Sequence, residues 1–502
     1  MYTELSFIRS VAPTDAPTLI RAREFSVRYD VDSHAPSKSL FLTSNAGGKV
    51  NRELLVASLD APDRWSSVAS QSTPVLPHSD TRSLDGVSVF DSFVAVSGRE
   101  GGFTQLWVVP LGTDATASDS AHRLSFPEES FTANLGSNDL FESDGTAKFE
   151  PALLPLLGSK RLFTRARTRL TRRSFPPPPP GKLRVSYSSM VTPRSVLEFD
   201  VPAKTYETLK VTPVPKYDPS LYQTRRLEVT ARDGAKVPVT LLWRPDAMSS
   251  AQPDGVTDDF GGGAPCHLYG YGSYGICMDP SFSATRLALV DRGVVFAVAH
   301  IRGGGEMGHH AWYEAAGKYL EKRNTFFDFV DCANHLVASG VAQSDRLSCE
   351  GRSAGGLLVG NVVNDAPELF CAAVAGVPFV DLMTTMCDPS IPLTTEEWEE
   401  WGNPNEAKYH SYMQSYSPID NVVEGATYPK MLIVSGLNDP RVAYWEPTKW
   451  AQVLRARVAN GEDVLLKMDL AAGHFSAADR YKYLRELSFD YAWLLEQLGR
   501  AD

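Results

Sequence analysis

The sequence predicts a doubly wound, mostly parallel α/β domain preceded by an all-β domain. Three observations predict it. From about Arg225 onward, apolar strand-like runs alternate with segments of helix length, the pattern of a mostly parallel sheet covered on both faces. Before that point, short apolar runs are separated by Gly, Asp, Ser and Pro, the pattern of repeated antiparallel strands in a propeller or sandwich. In the second half, Gly351-Arg352-Ser353-Ala354-Gly355 fits G-x-S-x-G between a strand-like and a helix-like run.

The front elements are short strands at Leu40–Ser44, Leu54–Ser58, Phe93–Ser97, Leu106–Pro110 and Arg161–Thr164. No crisp repeat accompanies them, so propeller and sandwich both stay open at this point. Five arginines fall between Arg165 and Arg173, and five prolines run from Pro176 to Pro180. The prolines make a stiff extended segment, read as a loop insertion or as a ligand for proline-binding domains. The back begins with hairpin strands at Leu227–Thr230 and Val237–Trp243. Strands then follow at His267–Tyr269, Val294–Ala299, Ala372–Gly376, Met431–Ser435 and Val464–Leu470, with helices over Thr325–Ser339 and Arg485–Gln497. The expected division is 1–221 for the all-β domain and 222–502 for the α/β domain.

Composition narrows the function classes. The chain of 502 residues is 43% hydrophobic and 22% charged, as in a soluble globular protein, and is long enough for two domains. A net charge of −11 disfavours a nucleic-acid partner and mildly favours cationic ones. Six cysteines occur without a C-x-x-C pair, which suits reduced thiols and a cytoplasmic location. The first residues lack the basic and apolar regions of a signal peptide, and no apolar run approaches the length of a membrane span. Gly303-Gly304-Gly305 lacks the Gly-Lys-Ser/Thr ending of a phosphate loop.

A serine on a sharp strand-to-helix turn exposes its hydroxyl beside the amides that open the helix. The α/β-hydrolase arrangement then requires an acid and a histidine further along, in that order. Asp439 follows the apolar strand Met431–Val434, and His474 follows Val464–Leu470. Ser353, Asp439 and His474 are therefore the candidate nucleophile, acid and base. The amide of Ala354, first after the nucleophile, is a candidate oxyanion donor. Glu397 and Glu399 lie among Trp398 and Trp401. Carboxylates in an aromatic pocket would select a cation, best a guanidinium; with Glu396 and Glu400 beside them, a solvated acidic face is the other reading.

Residues from about 182 to 502 resemble the prolyl oligopeptidase family, and within it the oligopeptidase B branch. The resemblance rests on Leu268-Tyr-Gly-Tyr-Gly-Ser-Tyr-Gly275, His300-Ile-Arg-Gly-Gly-Gly-Glu306, Tyr319-Leu-Glu-Lys-Arg-Asn-Thr-Phe326, the Ser353 motif, Glu397-Trp-Glu-Glu-Trp-Gly-Asn-Pro404 and Asp439-Pro-Arg-Val-Ala-Tyr-Trp445. It implies a β-propeller capping an α/β-hydrolase domain, and cleavage of short basic peptides after Arg or Lys. It implies the Tyr271 hydroxyl as second oxyanion donor, where the residue alone also reads as a packed aromatic. It implies recognition of the basic side chain by Glu397 and Glu399. It also implies that Arg441 holds the peptide backbone, where a local salt bridge is the alternative. Asp279 matches one of two acids that favour a second basic residue, but Ser281 stands at the other position. Arg302 and Glu306 are expected to anchor loops and the domain interface.

At roughly 50 residues per blade, the front 220 residues hold about four blades, fewer than the resemblance implies, so the expected propeller is incomplete. The expected function is a serine oligopeptidase needing no metal or organic cofactor and no membrane. Two alternatives stand beside it: an N-terminally truncated chain with little activity of its own, and a less selective esterase or amidase.

Overall fold

The computed structural model describes residues 4–9, 18–23, 29–34, 39–44, 51–58, 73–111, 121–136, 178–248, 260, 262–475 and 479–500. The strand expected at Arg161–Thr164, the arginine-rich stretch and the first two of the five prolines lie outside the described residues.

Among the described residues, the front half contains a hairpin, β1 (Glu4–Arg9) with β2 (Thr18–Arg23), and three four-stranded antiparallel sheets of consecutive strands. The first is β3 (Tyr29–His34), β4 (Ser39–Ser44), β5 (Glu53–Ser58) and β6 (Thr73–Leu76). The second is β7 (Arg82–Val89), β8 (Phe93–Glu100), β9 (Phe103–Pro110) and β10 (His122–Arg123). The third is β11 (Phe131–Leu135), β12 (Lys182–Ser189), β13 (Ser195–Asp200) and β14 (Thr205–Val211).

The period-two geometry of a strand explains why the central runs are apolar throughout. In β8, Val94 and Val96 pack with Phe41 and Leu54 of the first sheet, while Phe93 and Ala95 pack with Leu183 and Val185 of the third. β9 divides the same way: Trp107 and Val109 face one neighbour, Leu106 and Val108 the other. The middle sheet is thus buried on both faces. Face-to-face stacking of such meanders is the blade packing of a β-propeller, the alternative that the strand pattern alone left beside the sandwich.

The back half is one eight-stranded sheet in the order β15-β16-β18-β17-β19-β20-β21-β22. β15 (Gln223–Thr230) and β16 (Lys236–Trp243) form the antiparallel edge, and β16 also runs antiparallel to β18 (Val295–Ala299). All later pairings are parallel: β17 (Ala264–Tyr269), β18, β19 (Ala342–Arg352), β20 (Ala372–Gly376), β21 (Lys430–Gly436) and β22 (Val464–Asp469).

Alternate residues again divide between two cores. Ala373, Ala375, Met431 and Ile433 face one side, and Ala372, Val374 and Leu432 face the other. The first side is covered by α2 (Arg323–Ala338), α3 (Ala354–Asp365) and α7 (Trp445–Arg457), the second by α1 (Leu287–Val290) and α8 (Arg480–Gln497). Three further helices lie between β20 and β21: α4 (Leu382–Cys387), α5 (Thr394–Trp401) and α6 (Ala407–Gln414).

Side chains tie the halves together. Arg99 of β8 donates two hydrogen bonds of 2.8 Å to the Asp279 carboxylate, and the Ser188 hydroxyl of β12 accepts from the Phe282 amide at 3.1 Å. The guanidinium of Arg226 in β15 lies 4.2 Å over the Phe103 ring.

Candidate active site

The nucleophile candidate sits where β19 turns into α3. Ser353 has φ 57° and ψ −119°, a conformation that costs an L-residue about 1–3 kcal/mol and persists only when its surroundings impose it. They do so by pairing the Ser353 amide with the Gly376 carbonyl at 2.8 Å and by close backbone approach. A Cβ on Gly351 would lie 2.1 Å from the Gly355 carbonyl oxygen, and one on Gly356 would lie 2.3 Å from Pro378 Cβ. Neither neighbour can yield without moving backbone. Gly351→Ala is therefore expected to destabilise the protein by about 3 kcal/mol, measured as a lowered midpoint in denaturant unfolding; an unchanged midpoint would show that the turn relaxes freely.

The two partners arrive in the loops after β21 and β22. His474 Nε2 lies 3.0 Å from Ser353 Oγ, and His474 Nδ1 lies 2.7 Å from Asp439 Oδ2. The other oxygen, Asp439 Oδ1, accepts from the amides of Arg441 at 2.8 Å and Val442 at 3.0 Å. The carboxylate is thereby fixed, and with it the imidazole ring. A ring that gives Nδ1–H to a carboxylate presents Nε2 as an acceptor to the serine hydroxyl. The arrangement can take a proton from Ser353 and return it to a leaving group.

A place for negative charge lies beside the serine. Ala354 opens α3, so its N–H is one of the helix's N-terminal amides without an intrahelical acceptor. The loop after β17, Gly270–Gly275, abuts this turn: a Cβ on Gly355 would sit 3.0 Å from the Gly270 carbonyl and 3.3 Å from the Tyr271 ring. Burial, aided by the nearby Tyr269, Glu400 and Glu397, pushes the Tyr271 hydroxyl well above its ordinary range, so it stays protonated and able to donate.

The acids divide differently from the sequence expectation. In helical α5, residues two apart point away from each other. Glu397 faces inward: its Oε2 accepts from the Tyr274 hydroxyl at 2.7 Å and from Trp401 Nε1 at 2.9 Å. Burial raises its carboxyl above the usual range, and these two hydrogen bonds only partly oppose that. Glu399 is exposed and reaches the Tyr319 hydroxyl at 3.2 Å. The two acids expected to meet one cation thus sit in different surroundings, Glu397 half-buried and Glu399 exposed. The buried companion of Glu397 is Glu400, which accepts from the Tyr274 amide at 3.0 Å and the Tyr313 hydroxyl at 2.5 Å.

Asp279, which the resemblance links to a second basic residue, makes a bidentate pair with Arg99 at the joint between the halves. Arg441 is exposed, with its guanidinium 5.1 Å over the Phe475 ring, beside the Ser353–His474 pair; among the described residues no salt bridge holds it. Arg302 and Glu306 anchor loops as expected. Arg302 binds Asp328 at 2.6 Å and Asp233 at 2.5 Å, and Glu306 accepts from the Met278 amide at 2.7 Å. Tyr274, Tyr313, Lys322 and Glu400 were missed as site residues. The i, i+3, i+4 spacing of Glu397, Glu400 and Trp401 was the signal that could have found Glu400.

On the other side of His474 lies a cavity of about 380 Å³ at the carboxyl ends of the strands, walled by Arg286, Glu350, Arg352, Lys467 and α8. Among the described residues, no helix is long and apolar enough to cross a membrane.

Comparison with known proteins adds an independent line. A model described as "Prolyl oligopeptidase family" matches residues 280–501, and one described as "Prolyl oligopeptidase, N-terminal beta-propeller domain" matches residues 2–212. Protease 2 of Moraxella lacunata is 35% identical over 498 residues, which is 99% of this chain and 62% of that protein. The structure of oligopeptidase B from Leishmania major superposes with a TM-score of 0.79 at 39% identity, over 100% of this chain and 62% of that one. Oligopeptidase B from Trypanosoma brucei, in a closed form with covalently bound antipain, gives 0.77 at 44% identity, over 96% and 61%. The chain thus spans about three-fifths of the length of these relatives.

Proposed function

Because the chain belongs to the prolyl oligopeptidase family, we propose that it is a serine peptidase hydrolysing short peptides on the carboxyl side of Arg or Lys. The observation that carries the reading is the continuous hydrogen-bonded series Asp439–His474–Ser353, at 2.7 and 3.0 Å. His474 takes the Ser353 proton as Oγ attacks the scissile carbonyl, and Asp439 stabilises the imidazolium that results. The tetrahedral oxyanion is met by the Ala354 amide and the Tyr271 hydroxyl. His474 then protonates the departing amine, and water enters by the same route to release the acyl group.

Selection for a basic side chain is supported by Glu397. Its charge is destabilised by burial, and the protein surrounds it with neutral donors. A guanidinium or ammonium beside Glu397 would supply a direct ionic partner, where Arg441 acts on it only through its charge. Arg441 beside the reacting pair is suited to hold the peptide backbone. The propeller half joined to the hydrolase half supports a preference for short chains. The six free cysteines support a cytoplasmic location. A second reading, a less selective esterase or amidase, is favoured by one observation: Phe475, adjacent to His474, is 74% exposed, which leaves that rim of the site open.

The test uses the purified chain with fluorogenic peptidyl amides ending in Arg, Lys, Leu or Pro, and diisopropyl fluorophosphate as a serine label. The expected result is release from Arg and Lys substrates about 100-fold faster than from the others, with the label on Ser353. Equal rates on all four, still with the label on Ser353, would favour the esterase reading. No release and no labelling at Ser353 would sink both.

A further inference from the structure

A buried charged pair lies beneath the loop that carries Tyr271. Lys322 precedes α2 and is 0% exposed; Glu400 of α5 is 2% exposed. The Lys322 ammonium donates to the Gly272 carbonyl at 2.6 Å, to Ser273 Oγ at 2.8 Å and to the Gly317 carbonyl at 3.4 Å. It also lies 3.6 Å from Glu400 Oε1 and 5.1 Å over the Trp401 ring. Burial lowers its pKa to about 8, with Glu400 working to hold the charge. Glu400 in turn accepts the Tyr274 amide, while its helix neighbour Glu397 accepts the Tyr274 hydroxyl.

Burying an ammonium is costly, and a hydrophobic side chain of similar size is often as stable or more so. The position of the pair is therefore more informative than its energy. Every bond it makes goes either to the loop that carries Tyr271 or to the elements that flank it. That loop is conformationally demanding, with positive φ at Gly272, Tyr274 and Gly275. Left to itself it has no strand or helix ladder to hold it. The helix that presents Glu397 is fastened to the same loop through Tyr274.

We propose that Lys322, with Glu400, is a positioning residue that locks the Tyr271 loop and α5 into one unit, so that the oxyanion donor and the acid for the basic side chain are set together. The proposal rests on the roles given above to Ser353, Tyr271 and Glu397. Lys322 touches no reacting atom; it acts through Tyr271 on turnover and through Tyr274 and Glu397 on binding.

A double-mutant cycle separates this from a structural role. The variant K322M/E400Q removes both charges together, so that neither is left buried alone. In the otherwise unaltered chain it is expected to lower kcat about 100-fold and to raise KM for the arginyl amide more than for the leucyl amide. In a Y271F background, where the donor is already gone, the same change should lower kcat by less than about 3-fold, because the two act as one unit. Equal losses of kcat in both backgrounds, or no loss in either, would overturn the proposal. If K322M/E400Q does not fold by circular dichroism, E400Q alone serves: a kcat loss that vanishes in Y271F supports the proposal, and one that persists unchanged overturns it. Absence of turnover by the unaltered chain would remove the functional reading and this proposal with it, whereas turnover with independent effects would remove this proposal alone.

Discussion

Ser353→Ala is expected to lower kcat on an arginyl amide by about 10⁶-fold, and Asp439→Asn by about 10⁴-fold. The first removes the atom that forms the acyl bond. The second leaves the shape of the site intact but changes what His474 can do. In the native chain the Asp439 carboxylate accepts Nδ1–H at 2.7 Å, which leaves Nε2 free to accept from Ser353. An Asn amide donates to Nδ1 instead, so Nε2 carries the proton and faces the serine as a donor. The other Asp439 oxygen is held by two backbone amides, and the Asn carbonyl can take over that place. The fold is therefore expected to survive, with an unfolding midpoint near that of the native chain. The check is kcat together with the denaturation midpoint for each variant. Asp439→Asn turnover within about tenfold of native would mean that His474 is oriented by something other than Asp439.

Glu397→Gln is expected to lower kcat/KM on the arginyl amide by about 100-fold while changing the leucyl amide less than about 3-fold. The magnitude follows from losing a charge-assisted hydrogen bond in a half-buried site, about 3 kcal/mol. Gln preserves the side-chain volume and can still accept from Tyr274 and Trp401, so packing of α5 is retained. Glu399→Gln is the comparison. Its carboxylate is exposed and, among the described residues, bonds only to Tyr319 at 3.2 Å, so arginyl turnover should change less than about 3-fold. If Glu399→Gln were the more damaging of the two, the basic side chain would have to bind on the outer face of α5 and not beside Glu397.

These contrasts show what a sequence carries openly. The Ser353 turn was legible because its requirements are local: a strand, two glycines at fixed offsets and a helix. Asp439 and His474 were legible because each follows an apolar strand in the order the fold imposes. The strands of the middle propeller sheet were legible from their apolar runs, although their burial on both faces was not. The different surroundings of Glu397 and Glu399 were not legible because residues 394–401 were read as a bulky run, whereas their helical period turns the two apart. The pairing of Asp279 was not legible because its partner, Arg99, is 180 positions away, and nothing local announces it. Lys322 was invisible for a similar reason. A lysine next to an arginine reads as solvent-exposed, and only the folded chain encloses it under a loop some fifty positions earlier.

The placement of the reacting groups has a consequence for descent as well as for chemistry. Ser353, Asp439 and His474 stand at the ends of β19, β21 and β22, three strands of one sheet, and the Tyr271 loop leaves β17 in the same sheet. The propeller contributes none of them and meets this half through side-chain pairs such as Arg99 with Asp279. The two parts of the molecule can thus accumulate change at different tempos. Substitutions among the blades leave the Ser353–His474–Asp439 hydrogen bonds untouched, while the strands beneath the serine tolerate little. If the proposed function holds, a lineage built on this plan could vary the propeller half while keeping the hydrolase half as it is.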